Sequence, residues 1–312
     1  MAAVTEPDST IESTSRSSSC CSAFYEQDWV RQLAEDIFHP GGEELTNKTV
    51  AAMNLPAGAA IADLGCGTGT TAMMLARHYD FRVSAVDISA ANIERAVQRS
   101  GHGQATVRFC QADASQLPFN DSELDGIIAE CTFSLFSEQE TVLAEIRRVL
   151  KPGGKLAITD MATSGALPED IAGVLAPWTC LADAVDEKTY LEMFAAAGFT
   201  IQTMADESAS LISLVRILKR KLLLLGAGAL ANGTAPDFDL ADFDLASIKF
   251  WLDRFKTEVE KGSIRYLRFN LQLLPASGHY QSPLGETAHI DIKNECPPKI
   301  GHEDGDDNSH QV

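Results

Sequence analysis

The stretch ADLGCGTGT, residues 62–70, constrains what this chain can fold into more than any other. The apolar run AAIADLG (59–65) reads as a buried strand, and TTAMMLARHYD (70–80) reads as a helix. Between them stand Gly65, Gly67 and Gly69. Glycines at a strand-to-helix turn let the backbone approach a ligand closely, and the free N–H groups of the helix start attract negative charge. Asp87 and Ile88 follow at the tip of the next strand. Asp87 lies about 20 residues beyond the loop, in the place of a ribose-hydroxyl acceptor. These residues predict a nucleoside-type cofactor. The spacing is GxGxG, not GxGxxG, which disfavours a nicotinamide dehydrogenase. The loop alone leaves a second reading open, a tight turn with a structural aspartate.

The alternation continues along the chain. RVSAVDIS (82–89), TVRFCQAD (106–113), LDGIIAE (124–130) and GKLAITDM (154–161) read as strands, with helices at AANIERAVQRS and SEQETVLAEIRRVL (137–150) between them. TIQTMADE (200–207) and IRYLRFNLQLL (264–274) are expected to close the sheet. The expected fold is α/β, a doubly wound, Rossmann-like, seven-stranded and mostly parallel sheet with a helical cap. The expected divisions are a disordered tail (1–19), an N-terminal helical lid (20–49), a sheet core (50–205), a helical cap with the final strand (206–284) and a disordered acidic tail (285–312). Within the cap, TAPDFDLADFD reads as a loop.

Charge and targeting signals narrow the partners. The net charge of −19 repels phosphate backbones and anionic lipid, so neither nucleic acid nor a membrane is expected. LISLVRILKRKLLLLGAGAL (211–230) is interrupted by Arg216, Lys219, Arg220 and Lys221, which suits an amphipathic helix packed on the body rather than a bilayer span. The N-terminus has no apolar core of a secretory signal, which places the protein in the cytoplasm. Its seven cysteines are then expected to be mostly reduced thiols.

Three further segments join the glycine loop. QADASQLPF sets Asp113 and Ala114 at the end of the third strand, LPFNDSELDGII leads into the fourth, and RRVLKPGGKLAITD reads as helix, turn and fifth strand. Together with DLGCGTG, this set resembles the class I S-adenosylmethionine-dependent methyltransferases over residues 50–162. The resemblance implies S-adenosyl-L-methionine as cofactor and makes residues 50–205 its binding core. Asp63, Gly65, Gly67 and Gly69 would hold the methionine part, Asp87 the ribose, and Asp113 with Ala114 the adenine. Ile88 and Glu130 complete the expected cofactor-binding set.

Cys131 follows the fourth strand immediately, where ligands of doubly wound sheets bind. A free cysteine there is either a small buried hydrophobe or a ligand. VLAPWTCLADAVDEKTYLEMFAAAGF (174–199) adds Cys180 after the fifth strand. The pattern resembles the arsenite S-adenosylmethyltransferases, in which one cysteine follows the fourth strand and another lies in a C-x-x-x-A segment. The resemblance implies that Cys131 and Cys180 are catalytic, substrate-binding ligands of trivalent arsenic. The metalloid would be the substrate, with no resident metal, and a thiol reductant would serve as partner. Thiolate is the soft ligand for such a centre. A nucleophile that already carries a lone pair needs no general base, and the sequence shows no evident histidine–carboxylate arrangement.

SSCCSAFYEQDWV (18–30) sets Cys20 and Cys21 before an apparent helix. One of them is a candidate third substrate ligand; the alternative is an exposed, oxidation-prone pair. FHPGGEELT (38–46) reads as a helix–helix turn with Thr46 as a cap, the alternative being that His39 reaches the pocket. The expected activity is methyl transfer to a small molecule, arsenite first. Carbon or oxygen methylation of a quinone-like or other apolar metabolite, or a non-catalytic cofactor- or metalloid-binding sensor, are the alternatives.

Overall fold

The computed structural model describes residues 39–101, 107–175, 180–181, 183–232 and 245–275. The expected tails, most of the expected lid and the TAPDFDLADFD segment lie outside them.

The chain enters through helix α1 (Gly42–Met53) and then alternates: β1 (Ala60–Leu64), α2 (Thr70–His78), β2 (Arg82–Asp87), α3 (Ala90–Ser100), β3 (Val107–Gln111) and β4 (Leu124–Glu130). A short 3-10 turn (Phe133–Leu135), α4 (Gln139–Val149), β5 (Leu150–Thr163) and a single π turn (Ile171–Leu175) follow. The order ends with α5 (Glu187–Ala196), β6 (Phe199–Asp206), α6 (Ser208–Asn232), α7 (Leu245–Lys261) and β7 (Ile264–Leu273).

The seven strands form one sheet in the order β3-β2-β1-β4-β5-β7-β6. The first five are mutually parallel, and β7 runs antiparallel between β5 and β6. The expected fold is therefore the observed one. The central strands read as near-continuous apolar runs because helices cover both faces of the sheet. One face buries Val50, Met53, Ala72, Leu75 and Ala96 of α1, α2 and α3. The other buries Val142, Ile146, Tyr190 and Phe194 of α4 and α5. Tyr190 and Phe194 stack at 5.9 Å, and Phe194 meets Phe269 of β7 edge-on at 5.2 Å, so α5 is fastened to the last strand by aromatic rings.

The strand boundary that departs furthest from expectation is the start of β5. LKPGG reads as a turn, yet Leu150 pairs with Leu124 before the register slips and Lys155 pairs with Gly126. The turn is a bulge inside a longer strand, with Gly153 at φ 79 supplying the left-handed residue. Helix α6 spans the predicted amphipathic segment, and no described helix is long and apolar enough to cross a membrane.

The sheet order reverses at β1 and β4. The crevice outside their carboxyl ends is where a doubly wound sheet binds its ligand. Leu211 of α6, Val259 of α7, and Ile264 and Tyr266 of β7 form a third apolar cluster with Leu45, Met161 and Cys180, so the two late helices reach that end of the sheet.

Candidate active site

The glycine loop leaves β1 by doubling back on β2. Gly65 and Cys66 both donate their N–H to the Val86 carbonyl, at 2.8 and 3.0 Å. Gly67 N–H donates to Asp87 Oδ2 at 2.8 Å, and Asp87 Oδ1 accepts from Ser89 N–H at 2.9 Å. Asp87, the expected ribose acceptor, thus also braces the loop, and its Oδ1 accepts from Asn92 Nδ2 at 3.4 Å as well. A Cβ placed on Gly67 would meet nothing within 4 Å among the described residues, so its outer side is open to them.

Asp63, at the end of β1, is buried, and its Oδ2 has no hydrogen-bond partner among the described residues. Burial, then the charges of Glu130 and Asp87, push its carboxyl well above the usual carboxylate range. An unpartnered buried carboxylate oxygen near an open glycine surface fits a ligand that brings a cationic donor, as the methionine end of the expected cofactor does. Ile88 beside Asp87 is 49% exposed, an apolar platform at the sheet edge. Gln111 Nε2 donates to the Ile88 carbonyl at 3.3 Å, which ties the end of β3 to it. Asp113 is exposed there and accepts from Ser115 N–H and Oγ–H at 2.8 Å, while Ala114 is buried. The expected adenine and ribose residues therefore share one edge.

Glu130 ends β4 facing α1 and α2. Its two carboxylate oxygens lie 3.0 Å from the Thr46 hydroxyl, and Oε2 accepts from Thr71 Oγ–H at 2.9 Å. His39 Nε2 lies 3.3 Å from the same Oε2. Two expectations are corrected here. A histidine–carboxylate arrangement exists, and Thr46 lies inside α1 rather than capping it, Gly41 being the N-cap residue. The sequence could not show the pairing because the fold brings together partners far apart in the chain. Both ring nitrogens of His39 are engaged, Nε2 with Thr46 and Glu130, Nδ1 at 3.2 Å from the Pro40 carbonyl. His39 is built as a brace on Glu130, with neither nitrogen turned to a substrate. Replacing Glu130 with glutamine is expected to weaken S-adenosylmethionine binding about ten-fold, measured by calorimetry, because it changes a buried acceptor of the Thr46 and Thr71 hydroxyls. Unchanged affinity would make Glu130 a structural strut only.

Cys131 comes directly after Glu130 with φ 54, a left-handed conformation for a non-glycine residue. Its N–H donates to the Thr159 carbonyl at 2.6 Å, so the β4–β5 ladder runs one residue past the strand. Its Sγ is 3.2 Å from Cys180 Sγ, and Cys180 Sγ is 3.2 Å from the Cys131 carbonyl oxygen. The thiols of residues on either side of β5 thus meet at the carboxyl end of β4. Both are free, Cys131 half-buried and Cys180 only 2% exposed. The hydrogen bond to Cys180, then burial, push the Cys131 thiol well above the ordinary cysteine range. Cys180→Ala removes the larger cause, so iodoacetamide alkylation of Cys131 at pH 7.5 is expected to accelerate several-fold. An unchanged rate would assign the shift to burial alone. Cys66 is half-buried in the loop, and Cys110, buried in β3, is disulfide-bonded rather than the reduced thiol expected. Cys20, Cys21 and Cys296 lie outside the described residues.

Comparison with known proteins agrees with this fold. A methyltransferase-domain family model matches residues 55–207, which contain the glycine loop, Asp87, Asp113, Glu130, Cys131 and Cys180. The O-methyltransferase cnsE of Penicillium expansum is 31% identical over 64% of this chain and 72% of its own length. Phosphoethanolamine N-methyltransferase 1 of Triticum aestivum is 29% identical over 62% of this chain, which spans only 38% of that protein. Among solved structures, Haemonchus contortus phosphoethanolamine N-methyltransferase 2, with S-adenosylhomocysteine and phosphomonomethylethanolamine bound, aligns with a TM-score of 0.69. That alignment covers 82% of this chain and 59% of the other at 17% identity, a likeness of fold.

Proposed function

Because this chain belongs to the class I S-adenosylmethionine-dependent methyltransferases, we propose that its methyl acceptor is a soft atom held by Cys131 and Cys180, trivalent arsenic first. The 3.2 Å separation of the two sulfurs at the switch-point crevice carries this reading. S-adenosylmethionine, when bound, supplies an electrophilic methyl group on a sulfonium. Asp63, Gly65, Gly67, Gly69, Asp87, Ile88, Asp113, Ala114 and Glu130 would hold it.

The protein's own part is ligation and positioning. Arsenite condenses with the two thiols, each As–OH taking one S–H proton and leaving as water, so two As–S bonds replace two As–O bonds. Because the condensation consumes thiols, the raised Cys131 is no obstacle to it. The bound arsenic keeps its lone pair, and two fixed sulfurs restrict where that lone pair points. No base is needed, in keeping with a His39 whose nitrogens are both occupied. Methylated arsenic is pentavalent, and a thiol reductant would return it to the trivalent state.

A second reading is favoured by the 31% identity to an O-methyltransferase. In it an apolar hydroxylated metabolite lies against the cluster built by Leu211, Val259 and Tyr266, and the cysteines are packing. The deciding experiment incubates the full chain with S-adenosylmethionine, a thiol reductant and arsenite, then seeks methylated arsenic by mass spectrometry, with the Cys131→Ser, Cys180→Ser variant alongside. Product from the wild type alone supports the first reading. No product from a protein that still binds the cofactor sinks it and leaves the second.

A further inference from the structure

Asp160, in β5, is a fully buried carboxylate that the chemistry above does not use. It forms no salt bridge among the described residues. A buried carboxylate is tolerated when its lone pairs are filled, and here they are. Asp160 Oδ2 accepts from Ser134 N–H at 2.6 Å, and Oδ1 accepts from Met161 N–H at 2.7 Å. The Ser134 hydroxyl lies 2.9 Å from Asp160 Oδ1 and 3.0 Å from the carbonyl oxygen of Cys180. A hydroxyl has one proton, so Ser134 shares it between the carboxylate and the Cys180 backbone. Ser134 itself is wholly buried in the 3-10 turn that follows Cys131. The carboxylate, the turn after β4 and the Cys180 main chain are thus joined behind the two sulfurs.

We propose that Asp160 and Ser134 are positioning residues for the sulfur pair: they hold the Cys180 backbone against the turn after β4 and so fix its thiol beside Cys131. This rests on the reading of the pair as a two-sulfur ligand, since packing cysteines need no such alignment. Two ligands held in place bind a bridging centre with a high effective concentration, and loosening either one loses that advantage. The burial that raises the Asp160 carboxyl to about 6 leaves it mainly ionised at neutral pH, as an acceptor of three donors must be.

The test uses phenylarsine oxide, which bridges two thiols and releases one water. Its affinity for the full chain is measured by competition with a small dithiol, beside the cofactor dissociation constant and the melting temperature. In Ser134→Ala the phenylarsine oxide affinity is expected to fall about ten-fold, the loss of one hydrogen bond, with cofactor affinity unchanged. Asp160→Asn, which turns a donor toward the Ser134 N–H, is expected to lose at least as much. If Asp160→Asn does not fold, Ser134→Ala still decides. Wild-type affinity in a folded Ser134→Ala overturns the proposal. So does an equal loss of cofactor binding, which would mark a general structural defect. A wild type that binds the reagent no better than Cys180→Ser overturns it too, because the sulfurs then do not act as a pair. Tight binding that Ser134→Ala loses, in an enzyme that makes no methylated arsenic, would leave the positioning role standing and the arsenic reading refuted.

Discussion

Gly65→Ala is expected to abolish cofactor binding and much of the stability, whereas Gly67→Ala, two residues along the same loop, should weaken the first strongly and spare most of the second. Both glycines are left-handed, at φ 67 and 53, so alanine costs about 1–2 kcal/mol at either from the backbone alone. Their surroundings separate them. A Cβ on Gly65 would lie 2.1 Å from Thr132 Oγ1 and 2.8 Å from Thr132 Cβ and Cγ2. Trimming Thr132 cannot relieve this, because its own Cβ is one of the colliding atoms. The loop would have to leave the Val86 carbonyl that accepts from Gly65 and Cys66. A total cost of about 4 kcal/mol or more follows, which lowers the melting temperature by about 8 °C or more. A Cβ on Gly67 meets no atom of the described residues within 4 Å. It projects where the ligand is expected, so cofactor affinity should fall about 100-fold while the melt shifts by only a few degrees. Scanning calorimetry and binding calorimetry on the two variants check the contrast. A Gly67→Ala protein that binds the cofactor normally would mean that the ligand does not approach the loop there.

Cys131→Ser alone should cost as much arsenite methylation as the double replacement of Cys131 and Cys180, about 1,000-fold in kcat/KM. Residues that act as a unit lose the whole function when one is removed, so the second loss adds little. The pair meets at 3.2 Å, and serine replaces a soft sulfur with a hard oxygen at either position. Independent roles would instead give losses that multiply. Cofactor affinity, measured on the same variants, should stay at the wild-type value, since neither cysteine belongs to the cofactor set.

Much of this architecture was legible because it is periodic or local. The run LDGIIAE became β4 with the expected bounds, and IRYLRFNLQLL became β7 within one residue. The glycine loop was legible because its backbone needs are written in residue types. What escaped notice was of another kind. The LKPGG stretch carries every mark of a turn, but neighbouring β4 keeps it in the ladder as a bulge. His39, Thr46, Thr71 and Glu130 come from three elements and the segment before α1, and no local pattern announces their meeting. Asp160 and Ser134 sat unremarked in a strand and a turn. Cys131 and Cys180 were paired by resemblance, and the fold accounts for their proximity: β5 carries the chain from one to the other and back to the same end of the sheet.

The place of β7 sets the order in which the protein can finish itself during synthesis. Among the described residues β6 is hydrogen-bonded only to β7, and β7 is the later of the two to emerge. Until Ile264–Leu273 leaves the ribosome, β6 has no neighbour and the edge of β5 lies open, with Ile201 and Met204 exposed even in the finished fold. Nascent chains that stall between α6 and α7 carry two unpaired strand edges, the surfaces that recruit chaperones or other nascent chains. A stop codon anywhere before β7 removes more than the last strand, because it leaves β6 with nothing to pair with.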